Sequence, residues 1–419
     1  MRMKTYGLLG QRLLQSLAPE IHRELGNFRY ELFQLTPDKL DEFFERKEFS
    51  GLNVTSPYET EVIRYCDELT PRAEAIGSVD TITVDENGRL TGDNCEYDGF
   101  IYTLEKCGID VSGQKVLIFG SGESARTVKA VVRDRGAREI VTVTEMGQVN
   151  YENFYEHSDA NIIINSTHTG MYPHNGEKLC DLRKFPEIKG VLDLVYNPRR
   201  TRLICQAEDM KIPNSDSLSM LVAQHYMTEI KFGLIEPDEE LMKATYKTMS
   251  DRRKNIIFVG LTGCGKTTIA KVVAAKLGRP CIDVDKLIEM KAGLPLPAIF
   301  GAYGEKYYRE LESETLKKIT RNGGQVIATE SGAVLNEDNL YYLRQNGYIV
   351  WLTRDLEELQ LNGVFLARNL NALKRIYDER SPIYSEIADI TVEVTDNAEK
   401  TVFEIIQKMN IKQNPGVLF

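Results

Sequence analysis

The sequence predicts an α/β protein with parallel sheets. Short apolar runs of strand length alternate with segments of helical period along the chain, a pattern typical of strand–helix–strand units. Two glycine-rich turns, at 120–125 and 260–267, each follow an apolar run and precede an amphipathic segment. At 419 residues the chain is too long for one ordinary core, so we expect two or three domains.

The first half begins with strands that alternate with helices. These strands are predicted at 8–9, 30–33 and 52–55. Alternating residues on both sides of a turn at 85–88 predict a hairpin over 79–91. A second unit starts with a strand at 115–119, a glycine-rich turn and a helix that ends near Gly136. Its further strands are predicted at 140–144, 160–165 and 190–195.

The composition limits the partners and the compartment. A net charge of −10 argues against nucleic acid or an anionic membrane as the main partner. No apolar run reaches the roughly 20 residues that span a bilayer, and the start of the chain lacks a signal-peptide pattern. The seven cysteines never occur as C-x-x-C, so we expect reduced thiols in a cytoplasmic protein, without a disulfide framework or a zinc site.

The turn at 260–267 has the G-x-x-x-x-G-K-[ST] pattern of an ATP-binding P-loop. A strand predicted at 255–259 precedes it, and an amphipathic helix predicted at 268–277 follows. In this motif backbone N–H groups surround the phosphates, Lys266 reaches the β- and γ-phosphates, and the Thr267 hydroxyl ligates Mg²⁺. The predicted ATP-binding residues are Gly260, Gly263, Cys264, Gly265, Lys266, Thr267 and Thr268.

The turn at 120–125 has the G-x-G-x-x-A pattern of a dinucleotide-binding Rossmann domain, with Gly120, Gly122 and Ala125 at its defining positions. An acid about 25 residues after the first glycine, Glu145, would on this pattern bind the ribose of NAD. A polar segment at 233–240, followed by one more helical stretch, places the major domain boundary near residue 250.

From residue 253 to 412 the chain resembles shikimate kinase. The shared motifs lie at 283–285, 299–312, 326–329 and 380–384. The resemblance implies that Thr267 and Asp283 hold Mg²⁺, with Lys266 and Asp285 as catalytic residues and Asp285 next to the hydroxyl that attacks the γ-phosphate. It also implies a set of substrate-binding residues in which two arginines clamp a carboxylate. That set is Asp285, Arg309, Gly332 and Arg380.

Two positions of this domain depart from the family. Where the family has three glycines, this chain has Glu330-Ser331-Gly332, which brings negative charge toward a carboxylate substrate. Where the family's lid carries an arginine, this chain has Val364 within the stretch 363–366, and Arg368 is an alternative cation nearby. Loss of a phosphate-stabilising arginine predicts slower phosphoryl transfer with nucleotide binding retained.

Residues 4–232 resemble shikimate dehydrogenase along their full length. The shared motifs lie at 6–10, 16–22, 51–55, 170–173, 193–198 and 220–224. The order of the two parts resembles a bacterial fusion of two enzymes of aromatic amino acid biosynthesis, which act on consecutive steps toward chorismate. The resemblance therefore implies three domains. They are a substrate domain at 1–100, a Rossmann domain at 101–250 whose last helices return to the first domain, and a P-loop domain of the nucleoside monophosphate kinase type at 253–419.

Acids stand at the catalytic positions of the dehydrogenase. Glu59 replaces the family's proton-transferring lysine, Glu96 its partner aspartate, and Asp80 a substrate-binding asparagine. Leu14 replaces the first of two carboxylate-binding serines. The predicted substrate-binding residues are Ser16, Thr55, Asp80 and Gln224. Because a glutamate cannot donate as an ammonium near neutral pH, we expect an impaired dehydrogenase.

Three hypotheses apply to the acids Glu59, Asp80 and Glu96. The favoured one is that they are solvated surface acids, and the second is that their pKa values are raised without any ligand. The third is that they bind a cation, either a metal ion or an amine-bearing relative of shikimate. Glu123 beside the pyrophosphate, and Glu145 near the usual position of an arginine for the 2′-phosphate, predict weak binding of NADP or NAD.

The sequence thus predicts a divergent shikimate dehydrogenase–shikimate kinase fusion. Its kinase half would bind ATP and Mg²⁺ and act on a small molecule, shikimate or a relative. Two alternatives stay open. One is a pseudo-enzyme with a ligand-sensing or regulatory role, and the other is a paralogue that acts on a modified shikimate-like substrate.

Overall fold

The computed structural model describes residues 5–14, 16–26, 28–359 and 370–410. The chain divides into two compact units, Met1–Met249 and Ser250–Phe419. Within the described ranges, no helix is long and apolar enough to cross a membrane.

A six-stranded sheet opens the first unit, with the strand order β2-β1-β3-β5-β6-β4. Its strands are β1 Tyr6–Gly10, β2 Tyr30–Gln34, β3 Gly51–Val54, β4 Glu68–Leu69, β5 Thr81–Val84 and β6 Leu90–Asp93, and its helices are α1 Ala18–Leu25, α2 Leu40–Arg46 and α3 Pro71–Ile76. Strands β1, β2 and β3 run parallel, whereas β5 pairs antiparallel with β3 and β6. The carboxyl ends of β1 and β3 therefore lie side by side.

The hairpin of β5 and β6 confirms the prediction for 79–91. Asp85 begins the turn, and its side chain accepts the backbone N–H groups of Asn87 and Arg89 at 2.8 Å each. Gly88 completes the turn with φ of +77°, a left-handed conformation that glycine adopts without steric cost.

A parallel five-stranded sheet follows in the order β11-β10-β9-β7-β8. Its strands are β7 Lys115–Phe119, β8 Glu139–Val143, β9 Ile162–Asn165, β10 Gly190–Asp193 and β11 Asn214–Ser215, with helices α4 Glu96–Cys107, α5 Glu123–Asp134 and α6 Arg202–Asp209. Successive residues of β7 enter different cores, Val116 on one face and Leu117 on the other. Both faces of this parallel sheet are therefore buried, as is usual for parallel sheets in α/β proteins.

Two helices, α7 Leu218–Lys231 and α8 Glu239–Arg253, follow the second sheet. Leu218 and Val222 of α7 pack with Leu17 and Ile21 at α1. Helix α7 thus carries its polar residue Gln224 back to the first sheet.

The second unit is a five-stranded parallel sheet in the order β13-β14-β12-β15-β16. Its strands are β12 Asn255–Val259, β13 Cys281–Asp283, β14 Val326–Ala328, β15 Gly347–Thr353 and β16 Ile390–Glu393, and its helices are α9 Lys266–Leu277, α10 Val284–Ala292, α11 Leu296–Ile319, α12 Glu337–Gln345, α13 Leu370–Ile387 and α14 Ala398–Met409. Helix α11 is broken at Gly304, where φ is 80° and ψ is 173°.

Helix α9 begins at Lys266, so the predicted start at 268 is wrong. The reason is local. Gly265 precedes the helix with φ of +97°, and this left-handed residue turns the chain directly into the first helical turn.

Candidate functional site

The loop between β12 and α9 depends on glycine at its first position. Gly260 has φ of +139°, and a Cβ added there would lie 2.4 Å from the carbonyl oxygen of Leu352. Gly263 and Gly265 also have positive φ, of 87° and 97°. Within the same loop Cys264 is buried, whereas Thr268 in the first turn of α9 is exposed. The loop therefore has three backbone positions that favour glycine, as a phosphate cradle requires.

Lys266 and Thr267 stand at the start of α9, beside this loop. The Lys266 ammonium donates to the carbonyls of Gly260 and Leu261 at 2.9 Å each. The Thr267 hydroxyl donates to Asp283 Oδ2 at 2.7 Å. A hydroxyl and a carboxylate this close are hard oxygen donors of the kind that Mg²⁺ prefers, so these residues fit the ion that the sequence predicts.

Asp285 lies in the first turn of α10, two residues after Asp283. Its Oδ1 accepts the hydroxyl of Tyr308 at 2.9 Å. Burial, with the nearby negative charge of Glu330, raises the pKa of Asp285 to about 6. A carboxylate with this pKa is ionised near neutral pH and can accept a proton, as a general base must.

The Arg309 guanidinium is held by acids of the protein itself. Its Nη1 donates to Glu312 at 2.9 Å and to Glu330 at 3.0 Å, and the Glu330 side chain is only 16% exposed. The guanidinium also rests on Gly332, where an added Cβ would lie 2.4 Å from Nη2. Burial opposes the charge of Glu330, yet hydrogen bonds from Ser331 and the charge of Arg309 lower the pKa of Glu330 to about 2.

Arg380 reaches the same segment from α13. Its Nη1 donates to the Ser331 hydroxyl at 2.7 Å, and the Tyr384 hydroxyl donates to the Ser331 carbonyl. The Thr262 hydroxyl in the P-loop donates to the same Ser331 oxygen at 3.0 Å. The structure thus brings the predicted residues Asp285, Arg309, Gly332 and Arg380 around the segment 330–332. Tyr308 and Thr262 were not predicted, although Thr262 lies at an unspecified position of the P-loop pattern and Tyr308 within the shared motif at 299–312.

The predicted lid stretch 363–366 and its alternative cation Arg368 lie outside the described residues.

In the first unit, Asp80 is the most densely bonded of the predicted acids. It is 3% exposed and accepts the Thr81 hydroxyl at 2.7 Å and the backbone N–H groups of Cys95 and Glu96 at 2.8 and 2.5 Å. The side-chain amide of Gln224 donates to it at 3.1 Å. Burial nevertheless raises the pKa of Asp80 to about 6. The structure therefore brings together Asp80, Glu96 and Gln224.

Glu59 and Glu123 form a carboxyl–carboxylate pair. Burial, then the hydrogen bond to Glu123 and its charge, raise the pKa of Glu59 well above its usual range. The pKa of Glu123 is shifted in the opposite direction. Burial raises it, but hydrogen bonds from Glu59, Thr60 and Ser56 outweigh burial and lower the pKa of Glu123 below its usual value. The proton of the pair therefore resides on Glu59.

The favoured hypothesis of solvated surface acids is wrong for Asp80, which is buried, whereas Glu59 and Glu96 are half-buried. Burial also raises the pKa of Glu96 to about 7, so each of Glu59, Asp80 and Glu96 has a raised pKa. The sequence shows that these residues are acids but does not show how deeply the fold buries them. Among the described residues, no group of three or more His, Cys, Asp or Glu is arranged to hold a metal ion.

Glu59→Gln is expected to stabilise the protein more at pH 8 than at pH 5. As pH rises above the unfolded pKa of about 4.3, the unfolded chain releases a proton that folded Glu59 retains, so the stability falls. Glutamine removes this dependence and can still donate to Glu123. Thermal melts of both proteins at the two pH values measure the effect, with Glu61→Gln as an exposed control. An equal shift in melting temperature at both pH values would contradict the raised pKa.

Ser16 and Thr55 follow β1 and β3, whose carboxyl ends are adjacent. The Ser16 hydroxyl accepts the backbone N–H of Ala18 at 3.2 Å, and the Thr55 methyl lies against Gly10. Leu14 in the same loop is 94% exposed. The two polar residues therefore stand at one edge of the sheet, as expected for a substrate-binding edge.

Gly120 and Ala125 fit a dinucleotide-binding turn. Gly120 has φ of +107°, and a Cβ there would lie 2.8 Å from the Ser166 hydroxyl. Gly122, which caps α5, has open space at its Cβ position, and Ala125 is buried against the sheet. The first residue of α5, however, is Glu123, which accepts the hydroxyls of Thr60 and Ser56 at 3.1 and 3.3 Å. The turn fits a dinucleotide, while the helix end carries its own carboxylate.

A buried polar network joins the first sheet to α7, and no sequence motif predicted it. His22 contacts Glu229 at 2.8 Å and Asn53 at 3.0 Å. The Asn53 amide donates to the Thr228 hydroxyl at 3.1 Å, which contacts that of Thr81 at the same distance. Because Thr81 bonds Asp80, the network fixes the position of α7 relative to the acids.

These folds and sites define an α/β protein that joins a unit of the dinucleotide-binding type to a P-loop kinase unit. Residues 8–82 match the family model of the shikimate dehydrogenase substrate binding domain, and residues 262–410 match that of shikimate kinase. A shikimate dehydrogenase (NADP(+)) from Clostridium perfringens is 30% identical over 271 residues, covering 60% of this chain and 100% of that protein.

The first unit is also similar to solved structures. A chorismate mutase/shikimate 5-dehydrogenase fusion from Clostridium acetobutylicum is 30% identical with a TM-score of 0.56, covering 59% of this chain and 97% of that one. Shikimate dehydrogenase 1 from Peptoclostridium difficile is 27% identical with a TM-score of 0.54, covering 59% and 98%. The chain belongs to the shikimate dehydrogenase family and carries a shikimate kinase domain behind its dehydrogenase part. Both domains indicate enzyme activity in the shikimate pathway.

Proposed function

We propose that the second unit transfers the γ-phosphoryl group of ATP to a hydroxyl of shikimate or a relative. The observation that carries this proposal is the hydrogen bond of 2.7 Å from Thr267 to Asp283, with Lys266 and Asp285 on either side of it. A Mg²⁺ ion held by Thr267 and Asp283 would neutralise charge on the phosphates. The amino-terminal backbone of α9 and the Lys266 ammonium bind the phosphates.

Asp285 has the position and the charge of a general base. It accepts the proton of the attacking hydroxyl, while Tyr308 fixes its other side by the hydrogen bond to Oδ1. The acceptor lies against a wall of side chains that are held by hydrogen bonds. They are Arg309, Glu330 and Arg380. The acceptor hydroxyl is thereby placed between Asp285 and the phosphate-binding loop.

The test uses nucleotide binding and turnover as separate measurements. Calorimetry with ATP and ADP in Mg²⁺ should give saturable binding, and ADP release should depend on an added cyclic polyol such as shikimate. Failure to bind any nucleotide would overturn the proposal. Binding without turnover of any cyclic polyol would instead favour a pseudo-enzyme.

For the first unit we propose a dehydrogenase with impaired hydride transfer and weak NADP or NAD affinity. Burial, and then the hydrogen bond to Glu123, keep the proton on Glu59, so this residue supplies no cation and its proton is committed to Glu123. Glu123 places a carboxylate where the pyrophosphate would approach the amino-terminal end of α5. Absorbance at 340 nm with shikimate and NADP⁺ tests this, and rapid NADPH formation would contradict it.

Glu123→Gly is expected to strengthen NADP⁺ binding by about 5- to 30-fold, the equivalent of one helix-end charge interaction of about 1–2 kcal/mol. The variant removes a negative charge from the amino-terminal end of α5. Fluorescence or calorimetric titration with NADP⁺ measures the dissociation constant. Glu145→Gly tests the acid beyond β8 in the same titration. Unchanged affinity of the Glu123 variant would show that this carboxylate does not oppose the dinucleotide.

A paralogue with a modified substrate is the second candidate function, and the ion pair of Arg309 with Glu330 favours it. Under this candidate the phosphoryl transfer is the same, but the acceptor differs from shikimate at the group that faces Arg309.

A further inference from the structure

We infer that the acceptor pocket of the second unit selects a cyclic polyol that carries a hydroxyl, in place of a carboxylate, at the group facing Arg309. Glu330 supplies from within the protein the carboxylate that Arg309 binds. This inference rests on the proposed phosphoryl transfer and names the class of its acceptor.

The first observation is that acids of the protein occupy both N–H groups of Arg309 Nη1 and one N–H group of Nη2. Its Nη1 donates to both Glu312 and Glu330, and its Nη2 donates to Glu305 at 3.3 Å. The face of the guanidinium rests on Gly332, so the side chain has little room to turn toward another partner. A ligand carboxylate could bind Nη1 of this guanidinium only by displacing Glu312 or Glu330.

The second observation is that Glu330 is held in place by other bonds. Its carboxylate accepts the Ser331 hydroxyl at 2.6 Å and the backbone N–H of Gly332, besides Arg309. Displacement of Glu330 would break all three bonds in a largely buried position. The charge of Glu330 is also permanent, because its pKa is lowered to about 2.

The third observation concerns Arg380, which is 4% exposed. Its Nη1 donates to Ser331, whose hydroxyl in turn bonds Glu330, so both arginines converge on the segment 330–331. The Arg380 Nε has no hydrogen-bond partner among the described residues. That donor is available to a hydroxyl oxygen as well as to an anion.

The balance of charge decides between these ligands. Four carboxyl groups, those of Asp285, Glu305, Glu312 and Glu330, lie around two guanidinium groups, and the pKa of Asp285 is raised by burial and then by the charge of Glu330. An incoming carboxylate would be repelled by these acids, whose side chains at Glu312 and Glu330 are largely buried. A hydroxyl avoids the repulsion, can donate to Glu330, and can accept from Arg380.

The test compares two acceptors that differ only at this group. One is shikimate, and the other is its primary-alcohol analogue, in which CH₂OH replaces the carboxylate. Calorimetry in Mg²⁺ and an ATP analogue with a β,γ-imido bridge measures both dissociation constants without turnover. We expect the alcohol to bind the full-length protein at least about tenfold more tightly than shikimate, a difference of about 1.4 kcal/mol. Equal affinity, tighter binding of shikimate, or binding of neither acceptor would overturn the inference.

Glu330→Gln and Glu330→Gly then test the cause. Both should shift the ratio of affinities toward shikimate by about tenfold or more, because one N–H group of Arg309 is freed and the negative charge of Glu330 is removed. Glu314→Gln, an exposed acid on the same helix as Arg309, should leave the ratio unchanged. An unchanged ratio in both Glu330 variants that still bind the nucleotide would overturn the role of Glu330. The preference is read from binding, so absence of phosphoryl transfer contradicts only the proposed function.

Discussion

Replacement of Asp285 by asparagine is expected to lower the rate of phosphoryl transfer by about 10²–10⁴-fold, the usual contribution of a general base. Asparagine keeps the shape of the side chain and can still accept the hydrogen bond from Tyr308. It cannot take the proton of the attacking hydroxyl. ADP release in a coupled assay measures the rate, and calorimetry with ADP should give an unchanged dissociation constant.

The pH dependence provides a second readout for the same residue. Because the pKa of Asp285 is about 6, kcat/KM should fall about tenfold per pH unit below that value and level off above it. Tyr308→Phe is the matched control, since it removes the hydrogen bond to Asp285 but leaves the carboxylate. A rate that is insensitive to Asp285→Asn would show that this carboxylate does not receive the proton.

The parts of the fold that could be predicted from the sequence depend on neighbours in the chain. The turn from Asp85 to Gly88 combines a side-chain acceptor with a left-handed glycine, and both features belong to a stretch of four consecutive residues. The P-loop is similar, because Gly260 and Lys266 belong to one loop whose backbone fixes their roles. The spacing of the motif was therefore enough to predict its geometry.

The parts that could not be predicted depend on contacts between distant residues. Arg309 and Glu330 meet because α11 runs past the end of β14, and the resemblance marks the arginine without marking its partner. Glu59 and Glu123 are further apart in sequence, and only the packing of the loop after β3 near α5 brings them together. Burial of Asp80 and Glu96 follows from the same packing, which explains why the sequence suggested surface acids.

Both units share one arrangement. In each, a carboxylate of the protein stands where the resemblance places an anionic part of a ligand: Glu330 beside Arg309, and Glu123 at the start of α5. Each carboxylate is stabilised locally, Glu330 by a guanidinium and Glu123 by hydrogen bonds from hydroxyls and a protonated Glu59. Both sites therefore combine the expected fold with a carboxylate of their own.

Replacement of Glu59 by lysine is expected to raise NADP-dependent oxidation of shikimate by about 10²–10⁴-fold over the parent protein, the usual contribution of general acid–base catalysis. A lysine at this position would face the carboxylates of Glu123 and Glu96, which now oppose an ionised Glu59. Opposite charges would hold the ammonium in place and keep it protonated. Absorbance at 340 nm measures the rate at saturating NADP⁺.

The Glu59→Gln variant distinguishes two causes of a faster reaction, which are proton transfer by the new side chain and the removal of an acid that repels the substrate. Glutamine removes the ionisable carboxyl and can donate to Glu123, but it has no proton to transfer during hydride transfer. If the acids merely repel the substrate, the glutamine and lysine variants should gain equally. If the missing proton donor limits the first unit, only the lysine variant gains, and adding Glu123→Gly should lower the NADP⁺ concentration that it requires. A lysine variant no faster than the glutamine variant would contradict the assignment of Glu59 as the impaired position.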